Sequence, residues 1–285
     1  MRSFPAIELR WPAPPDEAAL ERVLAELDEA HPTAVEETGS GVRVFFGNSS
    51  ERARAHDLAR AAAPDIAITS LDVPDEQWAE RSQAMLTPVR VGRFVVSPPW
   101  HADDPMEPDV ERLIVQPSMG FGTGHHASTR LCLRLLQDVS LDRRSVLDVG
   151  TGSGILAMAA ARLGASAVVA IDADADALIS ARENLELNDL TGAVDVRLVD
   201  LAAPATIPGQ PFAVVLANLT GGMLRREARV LAGLVGAGGA LITSGFQDEE
   251  VDEVVAAFAA AGLTQVARAD DERWVAMQFK LEVRS

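Results

Sequence analysis

The residues best suited to chemistry lie in one stretch near the middle of the chain. Residues 146–155 read VLDVGTGSGI, so an apolar run that contains Asp148 leads into three alternate glycines, and an alanine-rich stretch follows. This order predicts a strand, a tight loop and a helix, because glycine lets a backbone turn sharply and approach a ligand closely. The start of the helix would present unpaired N–H groups at the same place. We therefore expect a nucleotide-binding loop that includes Gly150 and Gly152.

A second acid supports this interpretation. Asp172 follows the next apolar run, eighteen residues after the last of the three glycines. Because parallel strands end at a common edge of their sheet, its carboxylate could accept hydrogen bonds from both hydroxyls of a ribose. The alternative is a glycine-rich turn in some other kind of α/β protein.

The glycine spacing indicates which nucleotide binds. Dinucleotide sites favour G-x-G-x-x-G, with a pyrophosphate at the start of the helix. Here the glycines alternate, and Asp148 would repel a pyrophosphate but suit an ammonium group. S-adenosylmethionine combines adenosine with an ammonium group. We expect it as the cofactor, with Asp148 near its amino group.

A second glycine-rich segment, residues 119–129 (MGFGTGHHAST), precedes a leucine-rich helical stretch. Such a segment could fold over the methionine end of the cofactor, and we predict contacts there from Phe121, Gly122, Thr123 and the Thr129 hydroxyl. For Ser128 and Thr129, simple helix capping is the alternative. The neighbouring histidines 125 and 126 could contact a substrate, although surface histidines are commoner.

Two further polar residues follow predicted strands. Asp200 comes after the third strand and could accept a hydrogen bond from the adenine amino group, or could cap the loop that begins there. Asn218 ends the fourth strand in the sequence VVLANLT, and no aromatic residue follows that could stack on a planar substrate. This favours an aliphatic amine as acceptor, with Asn218 orienting the amine or binding the cofactor.

Composition narrows the range of partners. The chain has 25 basic and 42 acidic residues and a net charge of −17. Such a charge repels phosphate backbones, so we expect no nucleic-acid groove, and it would attract a basic partner. Solubility alone, or a halophilic or high-GC source, is an equally good explanation of the acidity.

Cysteine and hydropathy patterns bear on location. The single cysteine, Cys132, lies in an apolar helical run, which predicts a packed thiol and suits a reducing cytosol. The histidines and this cysteine form no cluster typical of zinc, so we expect no metal. We also expect no membrane span and no signal peptide, and hence a cytoplasmic enzyme.

The alternation of apolar patterns predicts three parts. Residues 1–75 have the order β-α-β-β-α-β of a ferredoxin-like unit, with strands near 6–11, 33–38, 42–46 and 66–73 and helices near 16–30 and 50–63. Residues 76–116 are a proline-rich connector with a possible strand pair at 89–91 and 94–97. Residues 117–285 are the catalytic part, and the first part, which lacks a chemical motif, is predicted to recognise the substrate.

The catalytic part is predicted to be a doubly wound, mostly parallel α/β sheet that ends in an antiparallel hairpin. The expected strands are 145–149, 167–171, 194–198, 212–217, 239–244, 264–268 and 274–281. The expected helices are 155–163, 173–187, 222–234 and 248–261.

Several motifs together resemble the PrmA family, the bacterial methyltransferases of ribosomal protein L-eleven. They are QWAE at 77–80, Pro88, Gly92, PW at 99–100, FGTG at 121–124 with His126, Thr129 and LCL at 131–133, then residues 148–161, ANL at 217–219 and WVA at 274–276. The likeness covers nearly the whole chain. It implies the class I methyltransferase fold and cofactor contacts at Thr129, Gly150, Asp172 and Asn218.

Some residues depart from the family pattern. The chain has QPS at 116–118 where the family usually has DPG, His125 where it usually has threonine, and Ala127-Ser128 where it usually has Pro-Thr. These positions border the predicted site, so they bear more on the acceptor than on the cofactor.

The resemblance and the residues together predict an S-adenosylmethionine-dependent protein methyltransferase. Its expected acceptors are lysine ε-amino or N-terminal α-amino groups of a basic ribosomal protein, which the resemblance implies is L-eleven. Asn218 would position the amine, and no residue stands out as a general base. The alternatives are a methyltransferase of another protein or a small amine, and a non-catalytic module that binds S-adenosylmethionine.

Overall fold

The structure, a computed structural model, divides the chain into two compact units, Met1–Met85 and Leu86–Ser285. It describes residues 3–11, 23, 27, 30, 32–38, 41–74, 86–117, 126–201, 207 and 209–281. The three-part division expected from the sequence, with breaks after residues 75 and 116, stays a prediction.

The first unit contains a four-stranded antiparallel sheet. Its elements are β1 (Ser3–Arg10), β2 (Pro32–Thr38), β3 (Gly41–Phe46), α1 (Ser49–Ala62) and β4 (Ala67–Pro74). The strand order β2-β3-β1-β4 is that of a ferredoxin-like split βαβ unit. Most of the helix predicted over 16–30 lies outside the described residues, although Val23 and Leu27 are buried in one core with Ile7, Val44 and Phe46.

The second unit begins with a small sheet of three strands. The predicted pair is present as β5 (Val89–Val91) and β6 (Phe94–Ser97), which run antiparallel. A third strand, β7 (Glu111–Ile114), joins β6 in parallel. The sequence did not indicate β7, because four residues that follow a proline-rich stretch are too few to show a period.

The rest of the second unit is built on a seven-stranded sheet. Its strands are β8 (Ser145–Val149), β9 (Ala167–Asp172), β10 (Val194–Leu198), β11 (Phe212–Asn218), β12 (Val235–Gln247), β13 (Leu263–Asp271) and β14 (Trp274–Leu281). They lie in the order β10-β9-β8-β11-β12-β14-β13. The first five are parallel, and β14 is antiparallel to both of its neighbours. This confirms the predicted fold class and its closing hairpin.

Helices cover both faces of this sheet. They are α2 (Ala127–Gln137), α3 (Ile155–Arg162), α4 (Ala175–Leu187), α5 (Gly221–Leu234) and α6 (Val251–Ala260). One core contains Leu133, Leu136 and Met158, and the other contains Phe246 and Phe258. Both cores lie against parallel strands with continuous apolar runs, as expected of strands buried on both faces.

Several predicted boundaries differ from the structure by three or four residues. The strand β1 begins at Ser3 rather than at 6, and β13 ends at Asp271 rather than at 268. The fifth strand begins at Val235, directly after α5, rather than at 239, since its glycine-rich start lacks the side-chain pattern by which a strand is recognised. The last helix begins at Val251 rather than 248. Asp248–Glu250 forms a 3-10 turn, in which Gln247 and Glu250 form a reciprocal capping box.

Cys132 is fully buried in the core that contains Leu133 and Met158, as predicted for a packed thiol. Burial raises the pKa of this thiol, so the reactive thiolate is disfavoured. Among the described residues, no helix has the length and apolar character needed to cross a membrane.

Candidate active site

The predicted nucleotide loop lies between β8 and α3, at the carboxyl edge of the parallel sheet. Gly150, Gly152 and Gly154 have φ angles of 66°, 53° and 81°, a region that side chains other than glycine rarely adopt. The N–H groups of Gly150 and Thr151 both donate to the carbonyl of Ile171, at 2.9 and 3.0 Å. The loop is therefore held against the end of β9, where the predicted ribose acid lies.

Asp172 is the last residue of β9 and is half-buried. Its Oδ2 atom accepts from the N–H of Gly152 at 3.0 Å, and its Oδ1 atom accepts from the N–H of Asp174 at 3.0 Å. A carboxylate has about four lone-pair positions. These two bonds fix the orientation of the group and leave each oxygen able to accept one more hydrogen bond, as the two hydroxyls of a ribose require.

Asp148 lies within β8 and is 1% exposed. Its Oδ2 atom accepts from the Thr151 hydroxyl at 2.6 Å and from the N–H of Ala157, in the first turn of α3, at 3.1 Å. Its Oδ1 atom is buried and has no hydrogen-bond partner in the described part of the chain. Burial raises the pKa of this carboxyl to about 6, although both hydrogen bonds oppose the shift.

These contacts show that Asp148 holds the loop to the start of α3. The remaining acceptor, Oδ1, is the atom that an ammonium group would use. The assignment of Asp148 to the amino group of the cofactor stays a prediction.

Thr129 and Asn218 meet beside this loop. Asn218 ends β11, and its Nδ2 atom donates to the Thr129 hydroxyl oxygen at 3.3 Å across 89 residues of sequence. Thr129 is 2% exposed and lies in the first turn of α2, whereas Asn218 is half-buried. In the described part of the chain, the Asn218 Oδ1 atom accepts no hydrogen bond, so the contact with Thr129 leaves this oxygen as an acceptor for a ligand.

The residue that caps α2 is His126, and not Ser128 or Thr129. Its Nδ1 atom accepts from the N–H of Ser128 at 3.3 Å and lies 2.7 Å from the Ser128 hydroxyl. The imidazole contacts Trp274 edge-on, with ring centroids 4.3 Å apart. Burial, together with the charge of Arg130, lowers the pKa of His126, so the neutral ring is favoured.

Asp200 lies two residues beyond the end of β10 and is exposed. The strand it follows is hydrogen bonded to β9, so Asp200 shares the carboxyl edge with Asp172. Its contact with the adenine amino group stays a prediction. The contacts predicted for Phe121, Gly122 and Thr123, and any role of His125, fall outside the described residues.

Comparison with known proteins identifies the family. The sequence model of the family described as ribosomal protein L11 methyltransferase (PrmA) matches residues 16–282. The chain belongs to the ribosomal protein L11 methyltransferase family. It is 44% identical over 221 residues to the member from Geobacter sulfurreducens, covering 77% of this chain and 71% of that one. It is 39% identical over 241 residues to the member from Pelotomaculum thermopropionicum, covering 82% of this chain and 77% of that one.

The crystal structure of a ribosomal protein L11 methylase from Lactobacillus delbrueckii subsp. bulgaricus resembles this chain with a TM-score of 0.64 and 25% identity. It covers 70% of this chain and 100% of that one. The fold and the family membership together make this protein a methyltransferase that uses S-adenosylmethionine, as predicted.

The residues at the site fit this cofactor. Asp172 offers two oxygens held in place by backbone hydrogen bonds, and Asp148 keeps a buried oxygen that has no partner among the described residues. The glycines leave the loop backbone without side chains. All of these features lie at one edge of the sheet, where ligands bind in doubly wound folds.

Sequence reasoning missed Asn184, whose amide contacts the nucleotide loop, and its neighbour Asn188. Both are buried on α4 and its C-cap, at 0% and 3% exposure. Their signal in the sequence is a pair of amides four residues apart, a spacing that places both on one helix face.

Proposed function

We propose that this methyltransferase modifies amino groups of ribosomal protein L11, either lysine ε-amino groups or the N-terminal α-amino group. The observation that carries the proposal is the similarity to proteins named ribosomal protein L11 methyltransferase, which extends over three quarters or more of the chain. The Asn218 amide, held by Thr129 with its oxygen left as an acceptor, supports an amine as the acceptor group.

The chemistry of the site follows from what an amine needs in order to react. A lysine has a pKa near 10.4 and is mostly protonated at neutral pH, whereas only the neutral amine has a lone pair for attack. Burial at the site would favour the neutral form. The Asn218 Oδ1 atom can then accept an N–H of the amine and direct the lone pair, which lowers the entropy cost of reaching the reactive geometry.

When bound, S-adenosylmethionine supplies an electrophilic methyl carbon on a sulfonium. Asp172 would bind the ribose, Asp148 would face the amino group, and the glycine loop would allow close approach of the backbone. None of the described residues is assigned as a general base. The enzyme acts by holding two reactants in line.

The first unit and the overall charge support a protein substrate. A unit with its own core and no chemical motif suits the recognition of a protein surface. A net charge of −17 favours a basic partner such as a ribosomal protein. The substrate would be met in the cytoplasm, where ribosomal proteins are made.

Transfer of radiolabel from S-adenosylmethionine tests the proposal. The purified protein is incubated with recombinant L11 from the same host, with total ribosomal protein from cells that lack the gene, and with small amines. We expect label in L11 alone. Label in another protein or a small amine would identify a different acceptor, and binding of the cofactor without transfer to any of them would indicate a non-catalytic module.

The role of Asn218 is tested by replacing it. Asn218→Ala is expected to lower kcat by about two- to tenfold, since a hydrogen bond between neutral groups contributes about 0.5–1.5 kcal/mol. Asn218→Asp keeps an acceptor oxygen and should retain more activity than the alanine variant. Equal kcat for the alanine variant and the unmodified enzyme would exclude amine positioning by Asn218.

A further inference from the structure

Two buried asparagines, Asn184 on α4 and Asn188 at its C-cap, bind the backbone at the end of β7 and just after it. Asn188 matches the peptide group of Ile114 as a neighbouring strand would: its Oδ1 atom accepts from the Ile114 N–H at 2.8 Å, and its Nδ2 atom donates to the Ile114 carbonyl at 2.6 Å. Asn184, one turn earlier, accepts from the N–H of Gln116 at 2.8 Å. The helix thereby holds this segment at two alternate residues.

Asn184 also reaches the nucleotide loop. Its Nδ2 atom donates to the carbonyl of Ser153 at 2.9 Å. Ser153 follows Gly152, whose N–H binds the carboxylate of Asp172. The side chain of Asn184 is fully buried. Its Oδ1 atom binds the backbone of the segment after β7, and its Nδ2 atom binds the backbone of the nucleotide loop.

The segment held by Asn184 continues into residues 118–125. Gln116 is separated from them by Pro117 alone, and they include the predicted cofactor contacts Phe121, Gly122 and Thr123. One side chain therefore joins the loop beneath the cofactor to the chain that enters the second glycine-rich segment. Asn188 differs in this respect, because its partners are Ile114, the Asn184 carbonyl and the Met158 sulfur.

We propose that Asn184 is a positioning residue that couples the nucleotide loop to the segment entering residues 118–125. Binding of the cofactor against the loop would thereby stabilise the backbone at Gln116, and the hold on Gln116 would in turn strengthen cofactor binding. The link is one fully buried amide. Loss of either half of the amide removes a hydrogen bond between the Asn184 side chain and a backbone group, and such bonds are costly to lose in a protein interior.

The matched substitutions Asn184→Asp and Asn188→Asp separate this role from simple stability. Each keeps an acceptor oxygen for the backbone N–H that it faces and loses the donor half of the amide. Only Asn184→Asp removes a donor to the Ser153 carbonyl. We expect its dissociation constant for S-adenosylhomocysteine, measured by calorimetry, to rise about tenfold or more, as for the loss of a buried hydrogen bond. The dissociation constant of Asn188→Asp should stay within about twofold of that of the unmodified protein, even if this variant loses as much thermal stability as Asn184→Asp.

A measurement on the unmodified protein provides a second test that does not depend on the folding of a variant. Hydrogen exchange of the Gln116 amide is followed by NMR with and without S-adenosylhomocysteine. We expect exchange to slow severalfold when the ligand binds. Unchanged exchange at Gln116, or equal effects of the two asparagine variants on affinity, would overturn the proposal.

The inference rests on the cofactor site proposed above, and Asp172→Ala tests that site separately. If Asp172→Ala weakens binding and Asn184→Asp does not, the coupling role is wrong and the cofactor site stands. If neither substitution weakens binding, the cofactor site is wrong, and the coupling role is wrong with it.

Discussion

At the scale of single residues, two aspartates on neighbouring strands have opposite environments. Asp148 is 1% exposed and has a pKa raised to about 6 by burial, whereas Asp172 is half-buried and accepts a backbone N–H on each oxygen. The first is a structural group with one acceptor left over, and the second is an oriented acceptor pair. Two residues of the same type thus have different roles at one edge of the sheet.

Replacement of Asp172 by alanine is expected to weaken cofactor binding about ten- to a hundredfold, because charge-assisted hydrogen bonds to the ribose contribute roughly 1.5–3 kcal/mol. Titration calorimetry with S-adenosylhomocysteine measures the change. Asp174→Ala is the control, since Asp174 caps α4 through the N–H of Asp176 and should affect stability alone. An unchanged affinity in folded Asp172→Ala protein would exclude the ribose assignment.

The raised pKa of Asp148 predicts a pH dependence of stability. The folded protein binds this proton more tightly than the unfolded chain, whose carboxyl has a pKa near 3.8. The contribution of Asp148 to stability is therefore most favourable below about pH 4 and declines as the pH rises through about 6, by about 3 kcal/mol in total.

Urea unfolding of the unmodified protein and of Asp148→Asn between pH 4 and pH 7 measures this effect. Asparagine does not titrate, so the difference in free energy of unfolding should shift in favour of the variant over that range. Parallel curves for the two proteins would show that Asp148 keeps an ordinary pKa.

At the scale of elements, the nucleotide loop depends on backbone conformation. Its three glycines have positive φ angles, and two of the loop N–H groups bind the end of β9. Asn184 adds a side-chain bond from α4. The loop is thus held from two neighbouring elements as well as by Asp148 beneath it.

Gly152→Val is expected to abolish or greatly weaken cofactor binding, since a branched side chain would strain the backbone and block the approach of the ligand. Gly164→Val is the matched control, because Gly164 also has a positive φ angle, 90°, but lies after α3 with open space where a side chain would begin. Both variants should lose stability. If affinity falls equally in both, the loss reflects strain alone and the cofactor does not lie on the loop.

At the scale of the whole molecule, the chain forms two compact units. The described residues assigned to the cofactor site all belong to the second unit, which has two sheets and two cores. The first unit has a separate core beneath its antiparallel sheet. This arrangement allows one unit to be removed without touching the residues assigned to the cofactor.

A chain that begins near residue 75 is therefore expected to fold and to bind S-adenosylhomocysteine with nearly unchanged affinity. Its methylation of L11 should fall by orders of magnitude, since binding energy from remote contacts would no longer position the amine. Calorimetry and radiolabel transfer on both chains provide the two measurements. Equal methylation by the shortened chain would exclude the first unit as the substrate-recognition unit, and loss of cofactor binding in folded protein would place the boundary elsewhere.

Short-range patterns in the sequence determined much of the catalytic fold. The glycine loop, Asp172 and the alternation of strands and helices were recognisable because each depends on the order and spacing of nearby residues. The order of strands in the first unit followed from the same kind of pattern. Motifs at separate points along the chain also led to the family.

Long-range contacts could be found only in the tertiary structure. One such contact is the hydrogen bond between Asn218 and Thr129, and others are the bonds from Asn184 to Gln116 and to Ser153. The position of β14 between β12 and β13 likewise depends on pairing between distant parts of the chain. Burial likewise decided the pKa of Asp148, which spacing cannot predict, because the desolvation of a carboxyl depends on every element packed around it. Sequence determined which residues are present at the site, and packing determined what each of them can donate, accept or hold.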